Sequence, residues 1–177
     1  MEAPDGRNGW WLLMRFVNIR SESEGWPSNV LDPAPYLEVL PELLPQLPMG
    51  ARAYASDPGH YDFASLRCVK DLRMGSLALR EAGHAQISID IEFKAHEFKH
   101  DASLLIRYVD VTRWEVSVGL LGEGVRIWPE SRRLGDVQLD EVLPAPSGCL
   151  HEVQMTGGTI VVACRDLRAE WVPIARS

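Results

Sequence analysis

A mainly β fold, α+β at the margin, is what this sequence predicts: an antiparallel β-sandwich or a partly open barrel carrying one short or kinked N-terminal helix. Three observations lead there. Ile87, Ile89, Ile91 and Phe93 alternate with Ser88, Asp90, Glu92 and Lys94, the period-2 pattern of a strand with one buried and one wet face. Turn residues punctuate the rest at short intervals: Gly75, Gly83, 122–124, 144–148 and Gly157-Gly158. Helical periodicity, by contrast, is confined to one stretch near the N-terminus.

Taken in order, residues 10–19 form a strand candidate, followed by a polar loop at 21–25. Asp32-Pro33 is a helix-start signal, because Asp can cap free backbone N–H groups and Pro suits the first helical position. Tyr36, Leu37, Leu40, Leu43, Leu44 and Leu47 then recur at helical spacing. Pro41 and Pro45 each remove a hydrogen-bond donor, so a kinked helix, or two short turns of helix, is expected over about 33–47, ending before Gly50. Further strand candidates are 66–74, 87–94, 104–109, 114–120, 125–128, 137–143, 149–155, 159–165 and 168–172. At 177 residues the chain has the length of a single domain, 1–177, in which 1–50 packs on a β region spanning 51–174.

Composition narrows the function. Apolar residues make up 46% and charged residues 24%, so the chain has the makings of a packed core. The formal net charge is −7, and Arg132-Arg133 is an isolated basic pair. A nucleic-acid ligand is not expected, since phosphate binding draws its affinity from a basic stripe. No membrane span is expected, because no run approaches roughly 18 apolar residues. The acidic start and the interruption of the 10–17 apolar run by Arg15 do not suit a secretory signal, which places the chain in the cytoplasm. The three cysteines, Cys68, Cys149 and Cys164, lack metal-ligand spacing and fall in strand-like patterns, so each is expected as a free, packed thiol.

Three constellations merit a chemical reading. His96-Glu97-Phe98-Lys99-His100 satisfies H-E-x-x-H, which in zinc proteases places two imidazoles on one helix face beside a general base. Here the segment lies between two strand patterns, and a polar turn is expected instead, with no protease zinc site. The second is His151 with Cys164. A hairpin turn at Gly157-Gly158 would pair positions summing to 315 and set these two opposite each other on a buried face, as packing residues rather than base and nucleophile. The third is a set of strand carboxylates, Asp90 and Glu92 with His96, and Asp136, Asp140 and Glu141, expected on solvated faces. Trp26-Pro27 and Trp128-Pro129, flanked by loops, are candidate anchors for a partner. No phosphate-binding glycine loop, nucleophile elbow or dinucleotide fingerprint is present.

The runs His100-Asp101-Ala102-Ser103-Leu104-Leu105-Ile106-Arg107-Tyr108-Val109-Asp110-Val111, Leu134-Gly135-Asp136-Val137-Gln138-Leu139 and Gly157-Gly158-Thr159-Ile160-Val161-Val162 resemble small uncharacterised bacterial β-proteins, some described as immunity proteins of polymorphic-toxin systems. The resemblance lies within 85–172 and is one of strand rhythm. It implies a protein that neutralises a partner by binding it, and it carries over no functional residue. The expectation is therefore a non-catalytic binding protein with a protein partner, no cofactor and no catalytic residue. The alternative is a metal-dependent hydrolase using His96, Glu97 and His100.

Overall fold

A computed structural model of the chain describes residues 14–22, 28–120 and 127–174. Strand accounts for about 50% of the chain and helix for about 14%, so the fold is mainly β as expected. Strands β1 (Asn18–Glu22) and β2 (Ser28–Asp32) form a two-stranded antiparallel ribbon. Helices α1 (Ala34–Leu43) and α2 (Met49–Ala55) follow, separated by a 3₁₀ turn over Leu44–Gln46. Then come β3 (Arg73–Glu81), β4 (Ile87–Lys94), β5 (Ala102–Val118), β6 (Val137–Ala145), β7 (Gly148–Met155) and β8 (Gly158–Pro173). These six make one antiparallel sheet in the order β3-β4-β5-β8-β7-β6.

The sheet is bent rather than flat, and its two longest strands make the corner. β5 and β8 pair along almost their whole length, with a bulge between Val111 and Arg113. Asp110, just before it, stands at φ 56°, a left-handed conformation that Asp tolerates better than most side chains. An extra residue on one strand bends it and increases its twist. Before the bulge β5 lies between β4 and β8; after it, β8 lies between β5 and β7. One sheet thus becomes two four-stranded halves that share β5 and β8. The far edges, β3 and β6, meet at one point, where Arg73 bridges Asp136 and Val137 exchanges backbone bonds with Asp71 and Leu72. The sheet is open, and no closed barrel forms.

Its inner face carries Ile89, Ile91, Phe93, Leu104, Ile106, Tyr108, Val153, Ile160 and Val162, all buried. The alternation predicted for 87–94 is what puts Ile89, Ile91 and Phe93 there. Tyr36, Leu40, Ala51, Tyr54 and Tyr61 from the helical region join this core. The predicted helix starts where expected: Asp32 Oδ1 accepts the Ala34 N–H, and Pro35 lies in the first turn. The chain does not stop before Gly50, however. Leu47 and Pro48 are extended, and α2 restarts at Met49 and runs through Gly50, because the Asp166 carboxylate on β8 accepts the free N–H groups of Gly50 and Ala51.

Other corrections concern strand length and place. The candidates 104–109 and 114–120 are one strand, as are 159–165 and 168–172, since a bulge bends a strand without ending it. The candidate 66–74 is strand from Arg73 onward; Cys68 lies in a buried loop. The candidate 10–19 lies outside the described residues up to position 13, as do Trp26-Pro27 and residues 125–126 of the candidate 125–128. Ile127 and Trp128 are exposed and not in a strand. Residues 149–155 and 158–164 do form an antiparallel hairpin, but its turn is Thr156-Gly157 and pairs sum to 313. His151 opposes Val162, and Cys164 opposes Cys149. The two glycines serve close approach rather than the turn alone: a Cβ on Gly157 would stand 2.0 Å from Arg133 O, and one on Gly158 2.1 Å from Ser117 O. A register slip of two keeps every side chain on its face, so His151 and Cys164 are both buried as predicted.

Candidate functional site

The molecule's densest polar chemistry is buried, and it is centred on Asp140 of β6. Asp140 is 1% exposed, with apolar neighbours Leu139 and Val142. A carboxylate in such a place must be fully hydrogen-bonded or it destabilises the fold by several kcal/mol. Three elements answer that demand. His60, in the loop after α2, places Nε2 2.6 Å from Oδ1. His151 on β7 places Nε2 2.8 Å from Oδ2, and the Tyr54 hydroxyl of α2 donates to the same oxygen at 2.8 Å. The Tyr61 hydroxyl donates to the Asp140 carbonyl at 3.1 Å. Beyond His151, the Tyr108 hydroxyl of β5 lies 2.7 Å from Nδ1.

The protons follow from the acceptors. An ionised carboxylate only accepts, so both imidazoles donate from Nε2. In a neutral His151 that leaves Nδ1 as the acceptor for the Tyr108 O–H. Burial works to raise the Asp140 pKa, but the two imidazoles and their hydrogen bonds outweigh it and hold the carboxyl well below its usual range. Burial pushes the Tyr54, Tyr61 and Tyr108 phenols well above theirs, so they remain donors.

Asp140, His151 and Tyr108 are connected in the manner of a carboxylate–imidazole–hydroxyl relay. Little room surrounds it. The void beside Asp140 has a volume of about 10 Å³, space for about one water and for no substrate. Tyr108 and His151 are as buried as the hydrophobic core around them. The cluster holds α2, its following loop, β5, β6 and β7 in one arrangement.

No family model, curated protein or solved structure matches this chain.

The sequence-derived candidates fall elsewhere. Residues 96–100 form a tight turn between β4 and β5, in which Lys99 N–H and His100 N–H both donate to His96 O. His100 is 2% exposed, and both ring nitrogens are in use: Nδ1 accepts the His96 N–H at 3.1 Å, and Nε2 donates to Cys68 O at 2.9 Å. Glu97 is exposed and His96 half-buried. The turn brings the two histidines close in the chain but spends the His100 lone pair on the backbone, so the pair presents no shared ligand face. Among the described residues no group of three or more His, Cys, Asp or Glu side chains is placed to hold a metal.

His151 and Cys164 are not partners either, since the imidazole is taken by Tyr108 and Asp140. The Cys164 thiol is pushed up by its contact with Cys149 and by burial, away from the thiolate a nucleophile needs. The carboxylates expected in solvent need correcting most. Asp140 and Glu141 are each 1% exposed and Asp90 is 8% exposed; Glu92 and Asp136 are half-buried. Glu141 faces away from Asp140 and accepts the successive N–H groups of Arg15, Phe16 and Val17 at 2.7–2.9 Å, which ties the N-terminal segment to β6.

An accessible groove of about 470 Å³ lies on the outer face of the first half-sheet. Ser76, Ala78 and Arg80 of β3 form one side, and Leu105, Val172, Pro173 and Ile174 supply apolar lining. Asp90 is gripped there by Arg107, Nε to Oδ1 at 2.9 Å and Nη2 to Oδ2 at 3.1 Å, and by Arg80 Nη1 at 2.7 Å. The Arg107 hydrogen bonds, then those of Arg80, lower the Asp90 pKa against the effect of burial. β3 itself is bonded on one side only. From Met74 to Glu81 it pairs with β4, and among the described residues nothing pairs with its outer edge. No helix of the described residues is long and apolar enough to cross a membrane.

Proposed function

We propose that this chain is a non-catalytic binding protein whose partner is another protein, engaged by strand addition along the free edge of β3. One observation carries the reading: among the described residues, the backbone edge of β6 is partnered at Val137, Asp140 and Val142, while that of β3 from Met74 to Glu81 has no partner. An open edge is a row of unpaired N–H and C=O groups, a template that an extended segment can complete. Proteins that do not use such an edge usually blunt it with proline or inward charge. β3 has no proline, and past its bulge between Met74 and Ser76 it exposes Leu79 between Ala78 and Arg80. A strand laid beside it would direct alternate side chains toward the groove over Ala78, Leu105 and Val172, where apolar lining and the Arg80–Asp90–Arg107 cluster supply packing and register. The net charge of −7 favours a basic partner, through faster encounter more than through added affinity. The resemblance to immunity proteins is in keeping with this reading.

The test is partner capture from the source organism with the tagged chain, compared with a Leu79→Lys, Ser76→Pro variant. The wild-type chain is expected to retain one protein stoichiometrically and the variant to lose it, with circular dichroism and melting temperature unchanged. Equal retention by the folded variant overturns strand addition. Metal analysis of the same preparations addresses the hydrolase alternative: stoichiometric zinc that disappears in His96→Ala would replace this reading with that one.

A further inference from the structure

Cys149 and Cys164 stand directly opposite each other on β7 and β8, with their Sγ atoms 3.6 Å apart and both side chains fully buried. The approach is enforced by the residue before the first of them. Gly148, at φ 133°, lies so close to β8 that a Cβ there would stand 2.2 Å from Arg165 O. No other residue type fits, and the start of β7 is clamped against β8 at Cys164. Directly opposed residues of an antiparallel pair have Cα atoms roughly 4.5–5.5 Å apart, inside the span of about 4.4–6.8 Å that a disulfide accepts. Cys68 is placed differently: it lies in the loop before β3, its carbonyl bonded to His100, with no cysteine opposite.

We infer that Cys149 and Cys164 are a disulfide-forming pair, closed by a low-molecular-weight disulfide such as oxidised glutathione while the chain folds. The exchange balances without another reactant. One cysteine thiolate attacks a glutathione sulfur, the glutathione S–S bond breaks, and one glutathione thiolate leaves. The second cysteine attacks the protein sulfur of the mixed disulfide, forms the Cys149–Cys164 bond and expels the other glutathione. The two protons released by the cysteines go to the two glutathione thiolates. The protein dithiol has lost two electrons and the glutathione disulfide has gained them. Burial keeps the finished fold closed to the reagent, so the pair reacts as β7 docks on β8. The bond then holds the hairpin and constrains the unfolded chain across residues 149–164.

The experiment is refolding of the reduced, denatured full chain in a glutathione redox buffer, followed by thiol titration under denaturing conditions, intact mass and peptide mapping. One remaining thiol, a mass lower by two hydrogens, and a mapped 149–164 link are expected. Cys149→Ser, refolded alongside, should keep its two thiols and an unchanged mass. Three free thiols in the wild-type chain, a link through Cys68, or glutathione retained on Cys149 or Cys164 overturns the inference. The wild-type readings decide the matter even where the variant fails to fold.

Discussion

The two edges of the bent sheet are built from similar strands, nine residues each, and are treated in opposite ways. Along β6 the outward backbone groups at three positions, Val137, Asp140 and Val142, have been given partners that are not a strand. Val137 bonds to Asp71 and Leu72, Asp140 O accepts from Tyr61, and the Tyr36 hydroxyl both donates to Val142 O and accepts from Val142 N–H. Side chains of α1 and of the loop after α2 stand in for a missing neighbour at those positions. Along β3, from Met74 to Glu81, no such substitution is made among the described residues. A buried backbone group without a partner is costly, whereas water satisfies an exposed one at little cost. The helical region therefore reads as a permanent seventh neighbour of the sheet on one side, and the other side is where something can still be added.

The largest test of the sealed edge is Asp140→Ala. It strands two imidazoles and a phenol in the core, and about 3–5 kcal/mol of stability should be lost, by analogy with breaking a buried ion pair. Because the carboxyl is held below its usual range in the fold, its contribution is present above the unfolded value of about 4 and disappears as pH falls through the depressed one. Urea denaturation across pH 2–8 should show the wild-type advantage over the variant constant above about pH 5 and shrinking as pH falls below about 4. A variant that unfolds at the wild-type midpoint would mean that the cluster contributes nothing to the seal.

A smaller effect, of opposite sign, is expected at Glu152. It faces Glu141 across β6 and β7, is 5% exposed, and its Oε1 has no hydrogen-bond partner. Glu141 is already supplied by three backbone N–H groups, and Arg113 on β5 offsets the repulsion only in part. Burial first, then Glu141, pushes the Glu152 carboxyl up to about 7. A raised carboxyl favours folding below its unfolded value near 4.3, and that contribution is lost as pH rises through about 7. Glu152→Gln should therefore be more stable than wild type at pH 8 by about 3 kcal/mol and indistinguishable from it near pH 4. Equal stability at both pH values would show that water or another group reaches Oε1.

The uneven legibility of the chain follows from the same contrast. Ile87–Phe93 could be read because its neighbours in sequence decide its faces. The corner at Asp110 could not, since neither glycine nor proline marks it and β5 continues through the bend. Asp140 and Glu141 looked like a wet face because the charged residue types were weighed alone. A signal was present in their company: Val137 and Leu139 lie on one parity of the strand and Val142 on the other, so the strand is apolar on both faces and its carboxylates must be buried. Their donors were out of reach of sequence reasoning, as His60 and Tyr54 stand 80 and 86 residues away. His96 and His100 drew notice through a pattern whose chemistry depends on a helix, and a turn between strands uses the same residues to bond its own backbone.

Tyr36→Phe isolates the seal from the charge. It removes one oxygen and leaves the ring, its edge contact with Tyr61 at 5.5 Å, and α1 in place. Val142 N–H and C=O then lack partners in a buried setting, and a loss of about 1.5 kcal/mol is expected in the denaturation midpoint. No loss would mean that water enters the β6 edge and that the two edges are alike.

The smallest effect belongs to the open side. Arg80→Ala removes one of the two guanidinium groups on Asp90, yet Arg107 keeps both carboxylate oxygens occupied. The Arg80 side chain is 54% exposed, so its attraction to Asp90 is screened by water and salt and is offset by the entropy of holding a long side chain still. The change should lie within about 0.5 kcal/mol and shrink further in high salt, while partner capture weakens because Arg80 borders the groove. A loss as large as that of Tyr36→Phe, insensitive to salt, would mean that β3 is as closed as β6, and the asymmetry on which strand addition rests would be gone.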